Sequence, residues 1–199
     1  MDPAWNAALL VAAALCAIWL TPIVIFRGQE SLRIVALCIG AAVGYGIVHD
    51  MVTARISIQY FTIGHPPLFE TDDPTPHALA WGVIATWWVG LMLGIPLAIA
   101  ARRGRRRKVS ARQLVRPICV LLLVMALCAA LCAAIGHFGA QRGWFVLYGG
   151  LRELVQAEKQ VAFLTAGGAH GASYLVGFLG GLVLIVMTWR RRAAMAPTL

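Results

Sequence analysis

Charge is scarce in this chain, and acidic charge scarcest: Asp and Glu number 8 against 17 Lys and Arg, and charged residues make up only 13% of 199 residues. Such sparing use of charge, in a chain 60% hydrophobic, excludes an ordinary soluble domain. No cation precedes Arg27. A cleaved signal begins with a basic segment, so the first apolar run is expected to be retained as a membrane helix. Leu15 before Cys16 likewise fits poorly with lipoprotein cleavage, which uses a small residue there. Cysteine is absent from the segments between apolar runs: Cys16, Cys38, Cys119, Cys128 and Cys132 all lie within such runs, so no disulfide framework is implied. Cys128 and Cys132 share a helix face at i, i+4 and read as small apolar packing residues in an Ala-rich helix. No HExxH, no Glu-x-x-His pair and no GxSxG occurs, which removes the compact metalloprotease and nucleophile-elbow signatures. There is no internal repeat. Aromatics do not interleave the cations either, so the net charge of +9 does not read as nucleic-acid binding.

What the chain has instead is long uncharged stretches. A helix rises 1.5 Å per residue, so crossing a hydrocarbon core of about 30 Å takes roughly 20 residues. Uncharged runs cover 3–26, 74–101, 117–141 and 160–189, and a shorter one covers 34–49. They are continuous rather than alternating, which predicts helices and not barrel strands. The expectation is an all-α integral membrane bundle, one transmembrane domain over 1–199. Its five helices fall at about 4–26, 32–49, 77–101, 117–137 and 170–189, with outer loops 50–76 and 138–169. Pro96 is expected to kink the third, and Gly40/Gly44, Gly90/Gly94 and Gly177/Gly181 are small-residue steps for close packing.

Orientation follows from the cations. With the amino terminus outside and the carboxy terminus cytoplasmic, segments 27–33, 102–116 and 190–199 hold thirteen of the seventeen Lys and Arg residues and a single acid, Glu30. Only Arg55, Arg142, Arg152 and Lys159 lie outside, which is the positive-inside pattern. The cluster in 102–116 is then a stop-transfer segment attracted to anionic lipid headgroups by about 1 kcal/mol per cation. The Ala- and Arg-rich composition fits the bacterial inner membrane.

In that topology all five histidines and seven of the eight acids face outward. Between Arg33 and Asp50 lie too few residues to cross the core comfortably, so His49 and Asp50 sit close to the hydrocarbon edge, where an ionisable pair is a functional-site hypothesis. Imidazole with carboxylate suits divalent transition metals such as Zn or Fe. The candidate ligands are His49, Asp50, His65, His77, His137 and His170; Thr53, Arg55 and Glu70 are placed to orient them from behind. The ligands must be assembled from separate helices. Three alternatives stay open: a single outer haem, with His49 and His137 as its candidate axial ligands; a small transporter with an acidic outer vestibule; and an accessory or structural subunit without metal.

The stretch GIVHDMVTARISIQYFTIGHP, residues 46–67, resembles a motif of a family of uncharacterised bacterial multi-pass membrane proteins, written HDxVTxRI then YFTxGHP, with weaker likeness into ATWWVG. The resemblance carries no activity. It singles out His49, Asp50, Thr53, Arg55, Tyr60, Phe61, His65 and Pro66.

Overall fold

The computed structural model describes residues 30–194. The expected first span, 4–26, lies outside the described residues. Seven helices follow: α1 (Glu30–Ile56), α2 (Ile58–Thr62), α3 (Pro74–Ile84), α4 (Trp87–Arg102), α5 (Ala111–Gln141), α6 (Gly150–Leu154) and α7 (Ala157–Ala193). No strand occurs among them. Four helical stretches, Glu30–Ile56, Pro74–Arg102, Ala111–Gln141 and Ala157–Ala193, are long and apolar enough to cross a membrane. Their outward faces carry Leu, Val and Ile, as lipid contact requires: Val120, Leu123, Leu127 and Leu131 on α5, and Leu175, Leu179 and Val183 on α7.

Helix limits differ from those expected, each for a local reason. α1 runs to Ile56 instead of stopping near His49, because Met51–Ile56 continue an apolar, break-free pattern; Asp50 therefore lies inside a helix and not at its end. α5 starts at Ala111 rather than 117. The Gln113 side chain accepts from the Ser110 backbone N–H at 2.9 Å, and the Glu30 carboxylate accepts from the Ala111 N–H at 3.0 Å, so its first turn is capped ahead of Pro117. α7 extends from Ala157 and absorbs part of the expected outer segment 138–169. The rest of that segment holds one short helix, α6, which begins directly after Gly149; Gly149 and Gly143 have positive φ values and interrupt regular structure ahead of it. The expected third span is interrupted at Ala85–Thr86, and Pro96 sits within α4; the Thr86 hydroxyl donates to the Gly82 carbonyl at 2.5 Å across the break.

That break lies where α1 and α3 touch backbone to backbone. A Cβ on Gly82 would come within 2.6 Å of Ile47 Cα, and one on Gly46 within 2.5 Å of the Gly82 carbonyl. Only glycine allows this approach. Gly90 and Gly94 of α4 seat against Cys38, Ile39 and Val35 of α1 in the same way, and Gly177 and Gly181 of α7 face Met125 and Leu93. Among the described residues, the Gly40/Gly44 step meets nothing within 4 Å.

At the basic end the bundle is closed by Arg192. Its guanidinium is buried and donates to the carbonyls of Ala100, Arg103, Arg106 and Arg107, tying the α4–α5 loop to the end of α7. At the opposite end, α2 and the loop 63–73 fold over α1, α3 and α7. Phe61 is fully buried there with Ala54 and Ala78.

Candidate metal centre

α1 and α7 place His49, Asp50 and His170 together. One potential donor atom from each lies within 4.8 Å of the others, and among the described residues these three form the group able to share an ion. Helix periodicity explains the pairing. Tyr45, His49 and Thr53 recur every four residues on one face of α1, and His170, Ser173, Tyr174 and Gly177 follow the 3–4 spacing on α7. His170 Nε2 is 3.8 Å from Asp50 Oδ1 and 3.1 Å from Thr53 Oγ1. The Thr53 hydroxyl is also 3.1 Å from the His49 carbonyl, to which it donates, leaving an oxygen lone pair for an imidazole N–H. Thr53 thus fixes the His170 ring through the nitrogen that also faces Asp50.

A second chain of polar groups holds His49. Tyr45 Oη lies 2.8 Å from Ser173 Oγ, which lies 3.5 Å from His49 Nδ1, while the Tyr45 ring stacks on His49. The two imidazoles meet edge to face with centroids 4.6 Å apart, and Tyr60 of α2 stacks on His170 at 4.4 Å. Burial pushes the Tyr60 hydroxyl above its ordinary range, so it stays protonated. His49 Nε2 is buried without a hydrogen-bond partner. An orphaned acceptor or donor of this kind costs about 1–3 kcal/mol unless something fills it.

Depth follows from α1 itself. Arg33 and Arg55 are separated by roughly 33 Å of helix, about the hydrocarbon thickness. Asp50 then lies about 7 Å inward of Arg55. Arg55 does not reach it: its guanidinium donates to the Met51 carbonyl at 2.7 Å and to Thr75 Oγ1 at 3.1 Å. Arg142 lies over Trp144. Arg55 and Arg142 are thus engaged elsewhere, and the group beside Asp50 is His170.

The other candidates lie apart from the three. His65 Nδ1 is 2.9 Å from the Tyr60 carbonyl and its ring packs on Trp81, so it props the α2 cover. His77 is buried with Nε2 3.0 Å from the Thr71 carbonyl, holding the loop. His137 Nδ1 is 3.3 Å from Thr165 Oγ1, between α5 and α7. Glu70 is exposed on the loop. Asp73 caps α3 by accepting from the Thr75 N–H at 2.9 Å, which holds its carboxyl below the usual range.

Beside the three residues lies a cavity of about 550 Å³. Tyr45, His49, Asp50, Trp81, His170 and Ser173 form its polar end; Ile84, Val89, Met92, Met125 and Phe178 line the remainder. Reasoning from sequence missed Tyr45, Ser173 and Trp81. The signal for the first two was available in their spacing from His49 and His170. In comparisons with known proteins, no family model, no curated protein and no solved structure matches the chain.

Proposed function

We propose that the chain is a multi-pass protein of the bacterial inner membrane that holds one divalent transition metal, Zn or Fe, at its extracytoplasmic face through His49, Asp50 and His170. The observation that carries this reading is the convergence of two imidazoles and a carboxylate from two helices, with His49 Nε2 buried and unpartnered. Donors about 2.1 Å from a tetrahedral ion stand about 3.4 Å apart. The donor atoms of the three residues lie within 4.8 Å of one another, so the site closes on an ion with side-chain shifts on the order of 1 Å, His170 giving up its contact with Thr53. Two histidines and one carboxylate leave coordination positions open. An open position beside a cavity is the arrangement of metal sites that act on a ligand, whereas structural zinc sites are closed by four protein donors. Ser173 faces Nδ1 of His49 and leaves Nε2 for the ion, as carbonyls and carboxylates do in known metal sites. The likeness of 46–67 to an uncharacterised membrane family is part of this proposal, since its motif holds His49, Asp50 and Thr53.

Elemental analysis of the purified protein, grown with Zn and Fe supplied, tests the reading. The expected result is about one ion per chain, lost in His170→Ala and Asp50→Asn and retained in His77→Ala and His137→Ala. Protein that stays metal-free, or loses its ion only when His137 or His77 is changed, would overturn it. In the first case the chain is an accessory or structural subunit.

A further inference from the structure

The cavity beside the three residues does not end at its polar part. A second, smaller cavity of about 90 Å³ shares Ala42, Val89, Met125 and Gly177 with it and continues among Leu97, Ile118 and Leu184. Its lining is almost wholly apolar. Measured along α7 from His170 to Leu184, the combined cleft extends roughly 21 Å, past the middle of the bilayer. A space that is polar at one end and apolar for the rest of its length matches an amphiphile and not a water-soluble solute.

Its side wall has the same character. α4 and α7 meet where Leu93 faces Gly181. On the histidine side of that contact the large cavity lies between them, bordered by Trp88, Met92, Tyr174 and Phe178, which are 49%, 42%, 47% and 43% exposed. Within spanning helices, side chains exposed in this way face lipid. The cavity therefore borders the bilayer laterally. At its polar end two buried atoms have no partner, His49 Nε2 and the Trp81 indole Nε1. The indole N–H is a donor only and calls for an oxygen acceptor. An ion held by two neutral imidazoles and one carboxylate keeps a net positive charge, which calls for the same thing.

We propose that the site takes a membrane lipid through the α4–α7 side, its oxygen-bearing head at the metal and the Trp81 N–H, its hydrocarbon chain along the Val89–Met125–Gly177 cleft. The assignment rests on the metal reading above. A volume of about 550 Å³ is within the range of roughly 300–1,000 Å³ that holds a small-molecule ligand.

Two metal-directed probes with one head and different tails test it: acetohydroxamate and dodecyl hydroxamate, titrated into cobalt-loaded protein in lipid nanodiscs and read by the cobalt absorption bands. The dodecyl probe is expected to bind at least about tenfold more tightly. Partition into the nanodisc alone also favours a long tail, so the deciding comparison is Gly177→Leu. Gly177 lines both cavities, and a Cβ added there meets only the flexible end of Met125, which can move. In this variant the chain-length advantage should vanish while cobalt content and acetohydroxamate affinity stay unchanged. Val89→Phe, at the same junction, serves if Gly177→Leu does not fold. An advantage that persists in the folded variant, or equal affinities in the native protein, overturns the lipid assignment alone. Failure to bind cobalt overturns the metal reading, and this assignment with it.

Discussion

Replacing Gly82 by alanine should destabilise the bundle even though it adds only a methyl group. The methyl would sit 2.6 Å from Ile47 Cα, 2.7 Å from Ile47 N and 2.9 Å from the Gly46 carbonyl carbon, all of them backbone. No rotamer relieves such contacts, so α1 and α3 must separate by about 1 Å to restore ordinary van der Waals distances. Overpacking of this kind costs about 2–3 kcal/mol, against which alanine gains about 1 kcal/mol in helix propensity. The net loss is about 1–2 kcal/mol, or roughly 3–6 °C in Tm for a chain of this size. Gly171→Ala is the control: it lies within α7 with nothing within 4 Å, so it keeps the propensity gain without the clash. Thermal melts in one detergent, followed by circular dichroism, compare the two. A Gly82→Ala protein that melts with or above the native chain would mean that α1 and α3 do not approach as closely as described. The displaced α3 also carries Trp81, so metal content should be measured on the same samples.

Asp50→Asn should destabilise the zinc-loaded protein more than Asp72→Asn, because Asp50 is buried at the proposed metal while Asp72 is exposed and worth under about 1 kcal/mol; equal melts would refute that role. Arg192→Met keeps the side chain's bulk but removes donors to four carbonyls, so it should cost several kcal/mol and expose the α4–α5 loop to limited trypsin digestion; unchanged cleavage would show the contacts to be dispensable. A carboxy-terminal fluorescent fusion of a type that matures only in the cytoplasm should glow, and a dark fusion at normal expression would reverse the orientation proposed from the cations. Added Zn should raise the melting point of native protein by about 2.7 kcal/mol of stabilisation at a hundredfold excess over Kd, and should leave His170→Ala unmoved; equal responses would place the ion elsewhere.

The helical, apolar character of the chain was readable from its uncharged runs, because lipid permits few alternatives for a backbone that must satisfy itself. Helix ends were less so. The break-free pattern of Met51–Ile56 is what carries α1 through Asp50 to Ile56, but the acid looks like a boundary when only charge is counted. Its neighbour across the bundle, His170, lies more than a hundred positions away, and that contact is what allows Asp50 to stay inside a helix. The interruption at Ala85–Thr86 was equally hidden: Pro96 is the more conspicuous residue, yet the Gly46–Gly82 crossing and the Thr86 hydroxyl locate the break. Of the candidate site, His49, Asp50 and His170 do come together with Thr53 beside His170, while His65, His77 and His137 hold loop or helix contacts of their own. Residue type and depth select six candidates; rotation about each helix axis then separates them, and rotation depends on packing that a single sequence does not display.

Arg192 bears on the order in which the chain can be completed. The carbonyls of Ala100, Arg103, Arg106 and Arg107 are synthesised some ninety residues before the guanidinium that receives them. Until the final helix has been inserted, the turn between the second and third described spans has no internal donor for those groups and must rely on water and headgroups at the membrane surface. A chain truncated before Arg192 would therefore have its apolar spans in place and its basic end open. Insertion and completion are separate events in this protein, and a single late-arriving cation marks the second.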